Sequence, residues 1–168
     1  HISASMLSRP VDDISIPTDI WLLISNSTPT QWASDVQSLF RNEGYTTSWT
    51  TLDQEPPKGK FIVSLLDLEG APISSLPEDD YEVFRRYIEQ AQECQFLWVT
   101  QSTSHACPDP MFGLIHGLAR TLRSELLLDL SILELPRWNA GGAKAVIQVC
   151  KKIQRSRAHS LADSEYEY

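Results

Sequence analysis

Apolar and polar positions change period several times along this chain, and each change marks an element. Ile20-Trp21-Leu22-Leu23-Ile24 is continuously apolar and stops at Ser25-Asn26-Ser27-Thr28-Pro29, as expected of a strand buried on both faces and followed by a turn. Thr28 is placed to cap the next helix with Pro29 at its first position, and Trp32, Val36, Leu39 and Phe40 then recur at helical spacing. Asn42 to Gly44 ends that helix. Tyr45 to Thr51 is rich in β-favouring Tyr, Thr and Trp, and a polar loop with Pro56, Pro57 and Gly59 separates it from a second buried strand, Phe61 to Leu66. Beyond Gly70, Pro72 and Pro77, the acids Glu78, Asp79 and Asp80 sit where a helix N-terminus favours negative charge, ahead of Tyr81, Phe84, Tyr87 and Ile88. Cys94 to Thr100 is the clearest strand. Asp109-Pro110 opens a helix to about Leu127, Leu130 to Leu135 forms a strand, and Ala140 to Arg157 a last helix.

Buried-type strands alternating with helices predict an α/β fold, a truncated Rossmann-like unit with a largely parallel sheet of about five strands and helices on both faces. Residues 1–18 are polar, interrupted by Pro10 and Pro17, and read as a linker or leading segment; residues 19–158 form the domain, and 159–168 start a linker toward whatever follows.

With 168 residues the chain buries roughly two thirds of the surface its unfolded form exposes and needs no metal or disulfide to fold. A net charge of -8 argues against nucleic acid and against anionic membrane as partners, because the long-range field repels phosphates. No apolar run approaches the ~20 residues of a membrane span, so the expected location is cytoplasmic. Cys94, Cys107 and Cys150 are odd in number and widely spaced, and predict free thiols packed as small apolar groups.

The chemistry expected of an enzyme on this fold is missing from the sequence. A dinucleotide site needs a glycine-rich first turn so that backbone amides reach the pyrophosphate, whereas Ser25 to Thr30 contains no glycine and Pro29 lacks an amide donor. None of the five tyrosines, at 45, 81, 87, 166 and 168, is followed four residues later by the lysine that would lower a catalytic phenol's pKa. Nucleophile elbow, P-loop, H-E-x-x-H and EF-hand patterns are absent too. His105 and Cys107 read as an ordinary loop pair, and Asp12-Asp13 and Glu78 to Asp80 as solvated charge. The expectation is no catalytic residue, no metal and no cofactor in this domain.

At 100° per residue, Met111, Leu114, Ile115, Leu118 and Leu122 form one apolar stripe on the helix after Pro110, and His116, Arg120 and Arg123 fall opposite, as candidate contacts for another domain or a carrier. Gly113, Gly117, Thr121 and Ser124 make a small-residue stripe expected to admit a close neighbour. Glu125 projects near the middle of the apolar stripe, which predicts a buried or half-buried acid with an arginine or backbone partner.

The segments "FLWVTQST", "PDPMFGLIHGLARTLRSE" and "DLSILEL", between Phe96 and Leu135, resemble the structural ketoreductase subdomain of fungal highly reducing polyketide synthases, with Glu134 where that pattern usually has aspartate. The likeness extends more weakly back to Asp19 and forward to "DSEYEY". It implies a catalytically silent pseudo-ketoreductase within a homodimeric megasynthase of secondary metabolism, an enzyme of the acyltransferase class. It also implies methyltransferase, enoylreductase and catalytic ketoreductase domains as partners, an acyl carrier protein as a further contact, and NADPH, S-adenosylmethionine and phosphopantetheine used in other domains of the parent chain. The alternative is a small NADPH-dependent reductase of the short-chain type with a degenerate nucleotide-binding turn.

Overall fold

The structure, a computed structural model, describes residues 18–69, 76–102 and 110–165. Its elements are β1 (Asp19–Leu23), α1 (Gln31–Asn42), β2 (Thr46–Thr50), β3 (Phe61–Ser64), a 3-10 turn at Leu66–Glu69, α2 (Glu78–Gln90), β4 (Gln95–Gln101), a second 3-10 turn at Pro110–Gly113, α3 (Leu114–Glu125), β5 (Asp129–Leu135) and α4 (Ala140–Glu165). The five strands form one parallel sheet in the order β2-β1-β3-β4-β5. This is the expected architecture, with β3 at the centre, buried along its whole length, and β1 beside it inside the sheet, its run apolar on both faces.

Alternation along the strands divides the core in two. On one side Ile20, Leu22, Phe61, Val63, Leu97 and Val99 meet α1 and α4; on the other Leu23, Ile62, Phe96 and Trp98 meet α2 and α3. Burying each such side chain contributes about 1.5–3 kcal/mol. The first layer is closed by contacts between α1 and the segment leading into α4: Trp32 and Trp138 pack edge to face at 5.2 Å, and the Trp32 Nε1–H donates to the Asn139 carbonyl at 2.9 Å. Asn139 Oδ1 accepts from Gly142 N at 2.9 Å at the start of α4, where a Cβ on Gly142 would lie 2.8 Å from the Arg137 carbonyl. Only glycine fits there.

Element ends depart from expectation in instructive ways. Thr30, not Thr28, caps α1, its Oγ1 accepting from Ala33 N at 3.3 Å, so the helix starts at Gln31, two residues later than expected. Gly44, at φ 89°, ends α1 in the left-handed region. The acids Glu78, Asp79 and Asp80 do occupy the first turn of α2. The last helix continues beyond Arg157 to Glu165.

Candidate functional site

In an open parallel sheet the ligand crevice lies beyond the carboxyl ends of the strands where strand order reverses, here between β1 and β3. From β1 the chain enters the exposed turn Ser25–Thr28, and α1 presents its N-terminus at Thr30. From β3 it enters the 3-10 turn Leu66–Glu69. Leu66 joins the α2/α3 core and Leu68 packs against the α1/α4 core, which fixes the turn across the sheet edge. Its two acids are thereby sent to opposite surroundings.

Glu69 reaches over the first turn. Its Oε2 accepts from Ser25 Oγ and from Asn26 Nδ2, both at 2.8 Å. The space left among Ile24, Asn26, Thr30, Leu65 and Glu69 is about 10 Å³, barely room for one water. Asp67 lies inward and is 2% exposed. Burial pushes its carboxyl up to about 6, against a smaller lowering by Thr100 and Trp98 beside it. Neither neighbour satisfies it: among the described residues Asp67 Oδ1, Thr100 Oγ1 and Trp98 Nε1 all lack a well-formed hydrogen bond, as do Ser64 Oγ, Thr50 Oγ1 and the Tyr87 hydroxyl. Thr50, Ser64 and Trp98 share one row of the sheet with Leu23, so these orphaned groups line the α2/α3 side of the strand ends. Neither acid was among the residues singled out from the sequence. The available signal was Leu65-Leu66-Asp67-Leu68-Glu69, where two carboxylates interrupt an apolar run that had no reason to contain them.

The residues singled out on α3 are placed differently from expectation. The 3-10 turn at Pro110–Gly113 breaks the helical phase, and α3 buries Ile115, Ala119 and Leu122. That line is rotated roughly 50° toward Ala119 from the stripe drawn through Met111, Leu114, Ile115, Leu118 and Leu122. Leu114 is therefore 46% exposed. Glu125 is exposed as well, which corrects its expected burial: it lies on the flank of the helix and needs no buried partner.

Gly117 has no close neighbour among the described residues, since a Cβ there would meet nothing within 4 Å. The adjoining hydroxyls bond back to their own helix, Thr121 to the Gly117 carbonyl at 3.3 Å and Ser124 to that of Thr121 at 3.1 Å. Gly113 ends the 3-10 turn in helical geometry.

His116, Arg120 and Arg123 are all exposed. His116 Nε2 lies 2.5 Å from Glu134 Oε1 on β5, and Arg123 Nε donates to the Leu130 carbonyl at 2.7 Å, tying the helix end to the edge strand. His105, Cys107, Asp109 and Asp12-Asp13 lie outside the described residues. Among those described, no cluster of His, Cys, Asp and Glu has metal-site geometry, and no helix is long and apolar enough to cross a membrane. Cys94 and Cys150 are buried free thiols, that of Cys150 pushed up to about 12 by burial.

A parallel sheet in this order, with a helix N-terminus at the switch point, defines a Rossmann-like α/β domain. A family model described as "HRPKS sdrA-like, NAD(P)-binding Rossmann-fold domain" matches residues 25–167, and the chain belongs to this family. It is 34% identical over its whole length to the highly reducing polyketide synthase gloL of Glarea lozoyensis and 32% identical over 90% of its length to the squalestatin hexaketide synthase of a Phoma species. It is 28% identical over 99% of its length to the lovastatin diketide synthase lovF of Aspergillus terreus. It spans about 6–7% of each of these proteins.

The family's description overturns the expectation of no cofactor in this domain. That expectation rested on the missing glycines, which test one way of holding a pyrophosphate; the strand order and the α1 N-terminus are those of a fold that hosts nucleotide sites, and they do not depend on those glycines. Among the described residues, the side chains of this turn do not accommodate a pyrophosphate as they stand, because the Glu69 carboxylate is held across the turn and the recess behind it measures about 10 Å³.

Proposed function

We propose that this domain is a packing unit of an iterative highly reducing polyketide synthase, a homodimeric cytoplasmic polypeptide. In it the domain holds neighbouring methyltransferase, enoylreductase and catalytic ketoreductase domains in position and itself performs no chemistry. Residues 19–158 are its body and 159–168 lead toward the next domain. The observation that carries this reading is Leu127. It follows α3 with φ 52°, the left-handed conformation in which glycine is usual, and it is 83% exposed. A leucine costs about 1–2 kcal/mol there, and it joins neither core cluster among the described residues. Contact with a neighbouring domain explains the placement, and Leu114, at the other end of α3, is a second exposed large apolar side chain.

The test pairs two settings. Leu127→Asn, which tolerates left-handed geometry, is expected to stabilise residues 1–168 alone by about 1 kcal/mol in chemical denaturation. In the intact synthase Leu114→Ser/Leu127→Asn is expected to lower product output and speed limited proteolysis around the domain. Unchanged output and proteolysis in the synthase would sink the reading. A second reading, an NADPH-dependent reductase of the short-chain type, is favoured by the family's description; it requires residues 1–168 to oxidise NADPH against a small ketone, and no turnover in that assay removes it.

A further inference from the structure

Helix α4 holds five of the chain's 14 lysines and arginines, and residues 140–160 contain no acid, although the chain as a whole carries 22. Its inner face is committed to the core through Ala143, Val146, Ile147, Cys150 and Gln154, all buried. Helical spacing gathers Lys144, Lys151, Lys152 and Arg155 on the opposite side, a strip about 16 Å long. Lys151 is paired with Glu43. Lys144, Lys152 and Arg155 are exposed, and no described carboxylate makes an ion pair with any of them.

Like charges on adjacent turns oppose the helix rather than support it, so folding does not account for the strip. The apolar side of α4 is used up in the core, which leaves nothing to insert into a lipid surface. Beside the strip lies a groove of about 720 Å³ with mixed lining, which Lys152 shares with Gln95, Ser131, Ile153, Ser156 and Arg157, the last held by Asp129. Its polar groups suit hydrogen-bonding side chains. The features fit a folded, acidic, polar surface.

We propose that the outer face of α4, through Lys144, Lys152 and Arg155, docks an acidic helical surface of another domain of the same synthase, its carboxylates repeating at helical spacing to match the strip. This rests on the chain being part of a larger polypeptide, but it uses the opposite side of the sheet from Leu114 and Leu127.

The test is zero-length carbodiimide cross-linking of the intact synthase with mass-spectrometric mapping. Lys144 and Lys152 are expected to join to aspartates or glutamates outside residues 1–168, and the links to fade as salt is raised. Lys144→Glu/Lys152→Glu/Arg155→Glu is expected to reduce product output several-fold and the neutral Lys144→Gln/Lys152→Gln less so, the neutral pair guarding against misfolding of the reversed one. Cross-links confined to Glu43 and other residues of this domain, unchanged output in both variants, or binding of residues 1–168 to phosphatidylserine vesicles through the strip would each overturn the proposal. If the α3 double variant disables the synthase while the α4 variants do not, this proposal fails and the packing role stands.

Discussion

Asp67 and Glu69 lie on the same 3-10 turn, two residues apart, and meet opposite fates. Asp67 is 2% exposed, with an orphaned oxygen among other orphaned polar groups; Glu69 is exposed and accepts two hydrogen bonds at 2.8 Å from the turn after β1. The chain gives both a carboxylate, and the geometry of the strand end decides which acid costs stability and which controls access. The buried site stores an unfavourable term, because a charge there lacks the hydrogen bonds that would compensate for lost water. The exposed site is close to neutral for folding, as surface polar contacts usually are, yet it places negative charge where this fold ordinarily welcomes an anion.

The largest expected effect is at Asp67. Its carboxyl ionises near 6 in the fold against an ordinary value of 3.8, so the native state holds a proton more tightly than the unfolded chain. Stability is therefore greatest below about pH 4, falls as pH rises through the window to about 6, and is level above it. Two pKa units correspond to about 3 kcal/mol at most. Asp67→Asn is expected to match the parent in denaturant melts at pH 4 and to exceed it by up to about 3 kcal/mol at pH 7.5. A variant less stable than the parent at pH 7.5 would show that the carboxylate is satisfied, and the contrast with Glu69 would collapse.

Glu69 comes next in size and concerns binding instead of folding. Two unit charges about 4 Å apart interact by about 4 kcal/mol at an effective dielectric of 20, and exposure and salt reduce this to an expected ~1.4 kcal/mol, a factor of about 10. Glu69→Gln should thus tighten NADPH binding to residues 1–168 about tenfold in calorimetric titration at low ionic strength. Equal affinity in parent and variant would place the nucleotide elsewhere.

The strands were legible in the sequence because Ile20 to Ile24, Phe61 to Leu66 and Cys94 to Thr100 are buried on both faces, and such runs need no knowledge of the rest of the chain. The parallel architecture followed from their alternation with helices. What stayed hidden depends on partners distant in sequence or on small changes of local geometry. Glu69 is 43 and 44 residues from the groups it accepts from, and nothing in its neighbourhood announces them. The α3 projection misplaced Glu125 and Leu114 because a 3-10 turn altered the phase and because Ala119, fully buried, was not counted as apolar. The missing glycines said correctly that the first turn is unusual, but fold-level geometry and family membership carry information that a motif search leaves out.

The smallest expected effect sharpens the buried half of the comparison. Thr100 Oγ1 has no well-formed hydrogen bond, and it lowers the Asp67 carboxyl by less than burial raises it. Thr100→Val keeps the shape and removes one orphaned hydroxyl, worth about 1 kcal/mol in its favour. It also withdraws the little support the carboxylate has, so the pH at which stability levels off should move upward. At pH 4, where Asp67 is protonated, the variant should gain close to the full ~1 kcal/mol; at pH 7.5 the added cost of ionising Asp67 should cancel most of that gain. In an Asp67→Asn background the pH dependence of the Thr100→Val effect should vanish, which makes the pair a double-mutant cycle read at two pH values. If the Thr100→Val effect keeps its pH dependence without Asp67, another group titrates in this row of the sheet.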